Sequence, residues 1–215
     1  MKRLILVYVV AGLMLAASSV KANLTNGSFE TGDLKDWTAV LPVGGSASVV
    51  NGHSNLSGSG TTSRASTDGS YFALLKTDGP GSLSKLYQSF YASPGTSLLF
   101  DYFWDSGDYV PFDGTTTGTL LLGIGTGGPV VSTLFSNSVK TDPENYRGTP
   151  WTPVSYQFAT GSAYTLLIEI TNGGDGSLDS YVGIDNARII PAPSAILLGG
   201  IDVGLVGWMR RRKTL

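Results

Sequence analysis

The amino-acid sequence predicts an all-β protein, a β-sandwich of the jelly-roll type, between two targeting segments. Apolar residues alternate with polar ones in many short runs, so that Leu98, Phe100, Tyr102 and Trp104 fall on one face of a predicted strand. Clusters of Gly, Asp, Asn and Ser separate these runs, as in residues 172–176. We find no amphipathic helix longer than two turns between the targeting segments. Many short strands joined by such turns favour a sandwich.

Residues 1–22 are predicted to form a secretory signal peptide. Lys2 and Arg3 precede an apolar stretch at residues 4–17, and small residues lead up to Ala22. This order is the one that signal peptidase recognises, so we expect cleavage after Ala22. An uncleaved membrane anchor is the alternative.

Residues 23–190 are then predicted to form one domain. Nine segments carry the strand pattern: residues 46–50, 71–76, 83–91, 98–104, 119–124, 130–135, 154–158, 163–171 and 181–190. The Ser/Gly/Thr-rich stretch 51–69 is expected to be a long surface loop. Residues 123–128 match Gly-x-Gly-x-x-Gly, but a strand pattern follows them instead of a helix. They therefore predict a hairpin turn and not a dinucleotide site.

The charge of this domain differs from that of the whole chain. The targeting segments hold half of the 14 basic residues but only one of the 16 acidic residues, Asp202. The domain is left with a net charge of about −8, which excludes binding to the phosphates of nucleic acid. The chain has no cysteine, which excludes disulfides, zinc–thiolate sites and cysteine nucleophiles.

Residues 191–215 have three parts, which predict a membrane-inserted tail. A proline motif is followed by an apolar run at residues 195–209 and by a basic terminus. The prolines stop a helix from extending backwards. A helix over this run would be about 22 Å long, short of the roughly 20 residues that a bilayer requires, but the basic side chains extend its reach. Their charge places the C-terminus in the cytoplasm and residues 23–190 outside. A buried C-terminal helix is the alternative.

This tail resembles a PEP-CTERM sorting signal, the kind that exosortases recognise. The residues that carry the resemblance are Pro191, Ala192, Pro193, Ser194, the glycine-rich apolar run, and Arg210, Arg211 and Arg212. Ala192 replaces the usual glutamate, and Asp202 interrupts the apolar run. The resemblance implies a protein that is exported, held at the membrane, processed by an exosortase-like protease and left at the cell surface or in extracellular polysaccharide.

Three stretches of the domain resemble galactose-binding-like jelly-roll modules, which occur among carbohydrate-binding proteins. They are Asn-Gly-Ser-Phe-Glu-Thr-Gly-Asp-Leu at residues 26–34, Asp-Gly-Ser-Tyr-Phe-Ala-Leu at 68–74, and Tyr-Val-Gly-Ile-Asp-Asn-Ala-Arg-Ile at 181–189. Such modules often hold one structural calcium. The resemblance implies ligands from Glu30, Asp185 and the region of Asp68, which suits the oxygen preference of calcium. Surface charges, or a Glu30 that hydrogen-bonds a turn, are the alternatives.

A second acidic stretch contains aromatic residues. Its acids are Asp101, Asp105, Asp108 and Asp113, and its aromatic residues are Phe103, Trp104, Tyr109 and Phe112. Exposed aromatic rings beside carboxylates would suit sugar binding. The candidate ligand-binding residues are therefore Trp104, Asp105, Asp108, Tyr109 and Trp151. The alternative is a set of core-facing rings next to a solvated loop.

Catalytic motifs are weak. The single histidine, His53, lies in the predicted loop, no Gly-x-Ser-x-Gly motif is present, and nothing distinguishes one carboxylate pair. We therefore expect a non-enzymatic surface or matrix component that binds carbohydrate. A purely structural coat protein would lack an aromatic-lined groove. A small glycan-cleaving enzyme would need two carboxylates about 5–9 Å apart in a cleft.

Overall fold

A computed structural model describes residues 24–57, 60–77, 79–141, 148–173 and 178–191, except for the side chains of 55–57 and 60–62. The predicted signal peptide lies outside this part of the chain, and so does the predicted tail beyond Pro191. Among the described residues, no helix has the length and apolar character needed to cross a membrane.

Within the described residues the chain forms twelve β-strands. In chain order they are β1 (Thr38–Val40), β2 (Ser46–Val50), β3 (His53–Ser57), β4 (Gly60–Arg64), β5 (Phe72–Thr77), β6 (Leu83–Ala92), β7 (Ser97–Asp105), β8 (Thr115–Leu122), β9 (Val130–Ser138), β10 (Thr152–Gln157), β11 (Ser162–Thr171) and β12 (Ser180–Ile190).

Ten strands form two five-stranded antiparallel sheets. Sheet A has the order β1-β6-β11-β8-β9, and sheet B has the order β10-β7-β12-β5-β2. From β5 onward every connection except the β8–β9 hairpin passes from one sheet to the other. The remaining two strands, β3 and β4, pair only with each other in this part of the chain. The predicted all-β sandwich is confirmed.

The core lies between the two sheets. The four residues of β7 that the alternation places on one face, Leu98, Phe100, Tyr102 and Trp104, are all buried there. Sheet A contributes the facing apolar side chains of β6, β8 and β11, including Leu86, Leu120, Leu166, Ile168 and Ile170. Removing this apolar area from water is the main stabilising contribution, at about 25 cal/mol per Å².

The predicted strands match the structure closely except in three places, one of which is the short strand β1, which was not predicted. The expected loop at residues 51–69 is wrong, because it contains the hairpin of β3 and β4. Its Ser- and Thr-rich strands carry too few apolar residues to give an alternating pattern. Strand β8 begins at Thr115, earlier than predicted, for the same reason. The turn predicted at residues 123–128 is confirmed between β8 and β9.

Candidate functional site

The outer face of sheet B carries the most informative side chains. Along β7, the residues that point away from the core are Leu99, Asp101, Phe103 and Asp105, which alternate with the core residues. The hairpin β3–β4 lies over the second pair and leaves the first pair open. We call the region around Phe103 and Asp105 the covered half and the cavity beside Leu99 and Asp101 the groove.

Aromatic contacts fix the hairpin to the covered half. The guanidinium carbon of Arg64 lies 5.1 Å from the centroid of the Phe103 ring. The His53 ring lies 5.9 Å from Phe103 and 4.6 Å from Tyr181. Trp151 meets Phe103 edge-on at 4.7 Å, and its Nε1 donates a hydrogen bond of 2.7 Å to the carbonyl of Ala65. This half is therefore a second, smaller apolar cluster on the outside of the sandwich.

An ion-pair cluster also holds the hairpin in place. Asp105 Oδ1 accepts a hydrogen bond of 2.7 Å from Arg64 Nη2, which also donates to the Thr149 carbonyl at 2.8 Å. Asp105 Oδ2 lies 3.5 Å from Nε2 of His53. Only 1% of Asp105 is exposed, so this carboxylate serves the hairpin and does not meet solvent. The sequence missed this role of His53, since nothing local links it to an acid 52 positions away.

The predicted aromatic platform is wrong. Trp104 is fully buried in the core, because it lies on the same face of β7 as Leu98, Phe100 and Tyr102. Asp105 and Asp108 are each 1% exposed and cannot meet a sugar. Tyr109 is 37% exposed and packs edge-on against Phe112, away from the groove.

The alternative to a sugar-binding platform, a set of core-facing rings next to a solvated loop, is partly correct. Trp104 faces the core, as that alternative required. Only the start of the loop after β7 is shielded from solvent, because Ser106 and Asp108 are buried and hydrogen-bonded to each other, whereas Tyr109 and Val110 are exposed. Trp151 is half-buried against Phe103 and Phe72, with its ring nitrogen committed to Ala65.

The groove is a cavity of about 250 Å³ on the outer face of β7, β10 and β12. Its lining residues are Leu99, Phe100, Asp101, Pro153, Val154, Ser155, Asn186 and Arg188. Strand pairing explains the arrangement, because Asp101 is opposite Pro153 while Leu99 is opposite both Ser155 and Arg188. None of these residues was among the predicted ligand-binding residues, although Asp101 belongs to the predicted acidic stretch.

A β-bulge in β12 shapes the polar side of the groove. The pairing of β12 with β7 shifts between Asp185 and Arg188, and Asn186 adopts a left-handed backbone conformation with φ of 57°. Asparagine tolerates this conformation better than most residues. Asn186 Nδ2 donates to Asp101 Oδ2 at 3.1 Å, and Nη1 of Arg188 donates to the carbonyl and side-chain oxygens of Asn186.

Two carboxylates hold the turn that adjoins one end of the groove, where the Thr67 hydroxyl donates to Asp101. Asp185 Oδ2 accepts hydrogen bonds from the amides of Thr67 (2.7 Å) and Asp68 (3.0 Å). Glu30 Oε1 accepts from the amides of Ser70 (2.8 Å) and Tyr71 (2.9 Å). Burial raises the pKa of Asp185, and hydrogen bonds from the backbone amides of Asp68, Thr67 and Asn186 partly oppose this shift.

These contacts bear on the predicted calcium ligands. Glu30 and Asp185 do approach the same turn, and Glu30 hydrogen-bonds it, as the alternative interpretation expected. Asp68 directs its backbone N–H towards Asp185. Among the described residues, no cluster of three or more His, Asp or Glu side chains has a metal-binding arrangement. The calcium site stays a prediction.

The predicted sorting signal is described only at its first residue. Pro191 is exposed and follows the end of β12. Ala192, Pro193, Ser194, Arg210, Arg211 and Arg212 lie outside the described residues.

Comparisons with known proteins give structural similarities alone. No protein-family model matches the sequence, and no curated protein matches it. A solved structure described as TmCBM61 in complex with β-1,4-galactotriose is 15% identical, with a TM-score of 0.46, over 78% of this chain and 96% of that one.

Two further structures match at a similar level. The K3 adhesin domain of Lys-gingipain from Porphyromonas gingivalis is 14% identical, with a TM-score of 0.45, over 79% of this chain and 100% of that one. A xylan-binding domain from Paenibacillus barcinonensis is 15% identical, with a TM-score of 0.42, over 77% and 92%. At these identities and TM-scores the similarities assign no ligand to the chain.

Proposed function

We propose that this is an exported, non-enzymatic protein that binds carbohydrate in the groove of sheet B. The observation that carries the proposal is the lining of that cavity. Leu99 and Pro153 offer apolar surface. Beside it, Asp101, Ser155 and Asn186 offer a carboxylate, a hydroxyl and an amide, respectively. A sugar ring has an apolar face and a rim of hydroxyls, and such a ligand needs both kinds of contact.

The groove residues retain hydrogen-bonding capacity for a ligand. Asp101 Oδ2 accepts from Thr67 and Asn186, and its other carboxylate oxygen remains an acceptor for a sugar hydroxyl. Ser155 is exposed on β10, the edge strand of sheet B. The edge position also explains why Pro153, which lacks an N–H, is accommodated in the strand.

We keep the non-enzymatic proposal because the acids near the groove suit binding better than hydrolysis. Glycoside cleavage needs two carboxylates that both reach the substrate. Asp185, the cross-strand partner of Asp101, is fully buried and is occupied by the turn at Thr67. A purely structural matrix protein remains the competing proposal, and it predicts no saturable sugar binding.

The proposed location is outside the cell. Signal peptidase would remove residues 1–22, and residues 191–215 would hold the chain in the membrane until an exosortase-like protease acts on it. The protein would then remain at the cell surface or within extracellular polysaccharide. Detection of the mature N-terminus at residue 23, by sequencing of the protein recovered from the producing cell's exterior, tests the first step.

Blocking the groove tests carbohydrate binding. In a glycan-array screen of the purified full chain, we expect saturable binding that Ser155→Trp abolishes, since the indole would fill the cavity. Thr133→Trp, on the exposed edge strand β9 of the other sheet, is the matched control and should bind as the unmodified protein does. Both surface changes should alter the free energy of unfolding by less than about 0.5 kcal/mol. Absence of binding by the unmodified protein would favour the matrix proposal.

Calcium is a further proposal, with Glu30 and Asp185 as the ligands. Their oxygens suit it chemically, because Glu30 Oε1 takes both turn amides and leaves Oε2 for an ion, while Asp185 Oδ1 accepts only from Asn186. A bound cation would also offset the cost of burying Asp185. We expect a lower melting temperature in EDTA than in calcium, and an unchanged melting temperature would contradict the proposal.

A further inference from the structure

We infer that the groove accommodates a single acidic sugar unit, with the sugar carboxylate on Arg188. The inference rests on the proposed carbohydrate binding and deepens it, because it names the ligand class. It depends on three features: a guanidinium at the rim, the small volume of the cavity and the covered half that lies beyond its Asp101 end.

Arg188 is the cation of the groove. It is exposed and lines the cavity, and among the described contacts only its Nη1 donates to protein, to the two oxygens of Asn186. A guanidinium has five N–H donors in a planar fork, so Nη2 and Nε remain for a ligand. The preferred partner of this fork is a planar carboxylate bound through two parallel hydrogen bonds. A neutral sugar offers no such group.

The acid in the groove does not cancel this preference. Asp101 Oδ2 already accepts hydrogen bonds from Thr67 and Asn186, and it sits next to Pro153, whereas Arg188 is opposite Leu99. Arg188, on β12, therefore faces a position of β7 that is two residues before Asp101. A sugar can place its carboxylate at Arg188 and a hydroxyl at Asp101. The net negative charge of the domain acts at longer range, where salt screens it beyond about 10 Å.

The dimensions of the groove suit one sugar unit. Its volume of about 250 Å³ is below the roughly 300–1,000 Å³ of cavities that hold drug-sized molecules. Thr67 adjoins the groove at its Asp101 end, where the Thr67 hydroxyl donates to Asp101 at 2.8 Å. Beyond that point along β7, Phe103 lies beneath Arg64 and Trp151. A long polysaccharide cannot continue along β7 in that direction, and we expect a chain end or side branch to enter.

Calorimetric titration of the purified full chain with matched sugars tests the inference. The probes are galactose and galacturonic acid, glucose and glucuronic acid, and the di-, tri- and hexasaccharides of the preferred sugar. We expect an acidic sugar to bind at least tenfold more tightly than its neutral counterpart, and the preference to weaken as salt rises. Affinity should rise by less than twofold from the disaccharide to the hexasaccharide.

Variants separate the contact with Arg188 from general charge. Arg188→Gln should remove the preference for the acidic sugar, and Arg188→Lys should retain part of it, because an ammonium keeps the charge without the fork. Lys140→Gln removes one positive charge from an exposed side chain outside the groove. It should change neither the affinity for the acidic sugar nor that for the neutral sugar.

The outcomes distinguish this inference from the proposed function. Neutral sugars that bind as tightly as acidic ones, with loss of binding in Ser155→Trp, would overturn the acidic preference and leave carbohydrate binding intact. Affinity that grows steadily with chain length would overturn the single-unit groove. No binding of any sugar would overturn both.

Discussion

The two halves of the outer face of sheet B use the same strands for opposite purposes. In the covered half, Asp105 is paired with Arg64 and His53 beneath the β3–β4 hairpin. In the groove, Asp101 lies on the same face of β7, four residues earlier, and lines an open cavity with Arg188. Both regions contain an acid, an arginine and apolar neighbours.

The difference is whether the polar groups are paired within the protein or remain available. Arg64 contacts Asp105, the carbonyl of Thr149 and the Phe103 ring, so its charge serves the fold. Among the described contacts Arg188 donates to protein through one nitrogen, which leaves its other donors for the ligand that we propose. The role of an arginine or aspartate on this sheet therefore depends on whether another segment covers it, and the residue type alone does not predict that role.

The largest expected effect is at Asp105. Asp105→Ala would leave the Arg64 guanidinium, whose side chain is 11% exposed, buried without its carboxylate. Breaking a buried pair in this way should cost about 3–5 kcal/mol in the free energy of unfolding, measured by urea denaturation. Asp113→Ala is the matched control, because its partner Lys140 is 63% exposed and the pair should contribute less than about 1 kcal/mol. Equal losses in both variants would contradict the division into a covered and an open half.

A somewhat smaller effect is expected at the border between the halves. Asp185→Ala would remove the acceptor of the Thr67 and Asp68 amides, and we expect a loss of about 2–4 kcal/mol in EDTA, measured by denaturation. The loss should be accompanied by weaker sugar binding, since the Thr67 hydroxyl donates to the groove residue Asp101. Asp68→Ala keeps its backbone N–H and should change stability little in EDTA. A larger penalty for Asp68→Ala in calcium alone would identify its side chain as a metal ligand.

The smallest effect concerns the packing beneath the hairpin. A Cβ on Gly183 would overlap the ring of Phe103, its cross-strand partner. Gly183→Ala should therefore cost about 1–3 kcal/mol through overpacking, measured by thermal or urea unfolding, while binding in the groove persists. Gly127→Ala is the control, because nothing lies within 4 Å of a Cβ there. If Gly183→Ala left the free energy of unfolding unchanged, the covered half would be loosely packed.

Much of the fold was predictable because it depends on local alternation. The period-two pattern placed Leu98, Phe100, Tyr102 and Trp104 on one face, and that face is the core. The same pattern implied that Trp104 cannot be a surface platform, so that prediction conflicted with the strand assignment itself. The β3–β4 hairpin was not predictable in this way, because its strands gain their apolar contacts from sheet B and not from each other.

The sequence by itself determined most of the strands, the absence of disulfides, the acidic charge of the domain and the two targeting segments that we predict. Only the tertiary structure decided which side chains meet on sheet B. Arg64 and Asp105 are 41 residues apart, and Thr67 and Asp185 are 118 apart. Alternation along a strand fixes which face a side chain occupies, but its burial depends on a distant segment that folds over that face. Among the described residues, no such segment covers the groove.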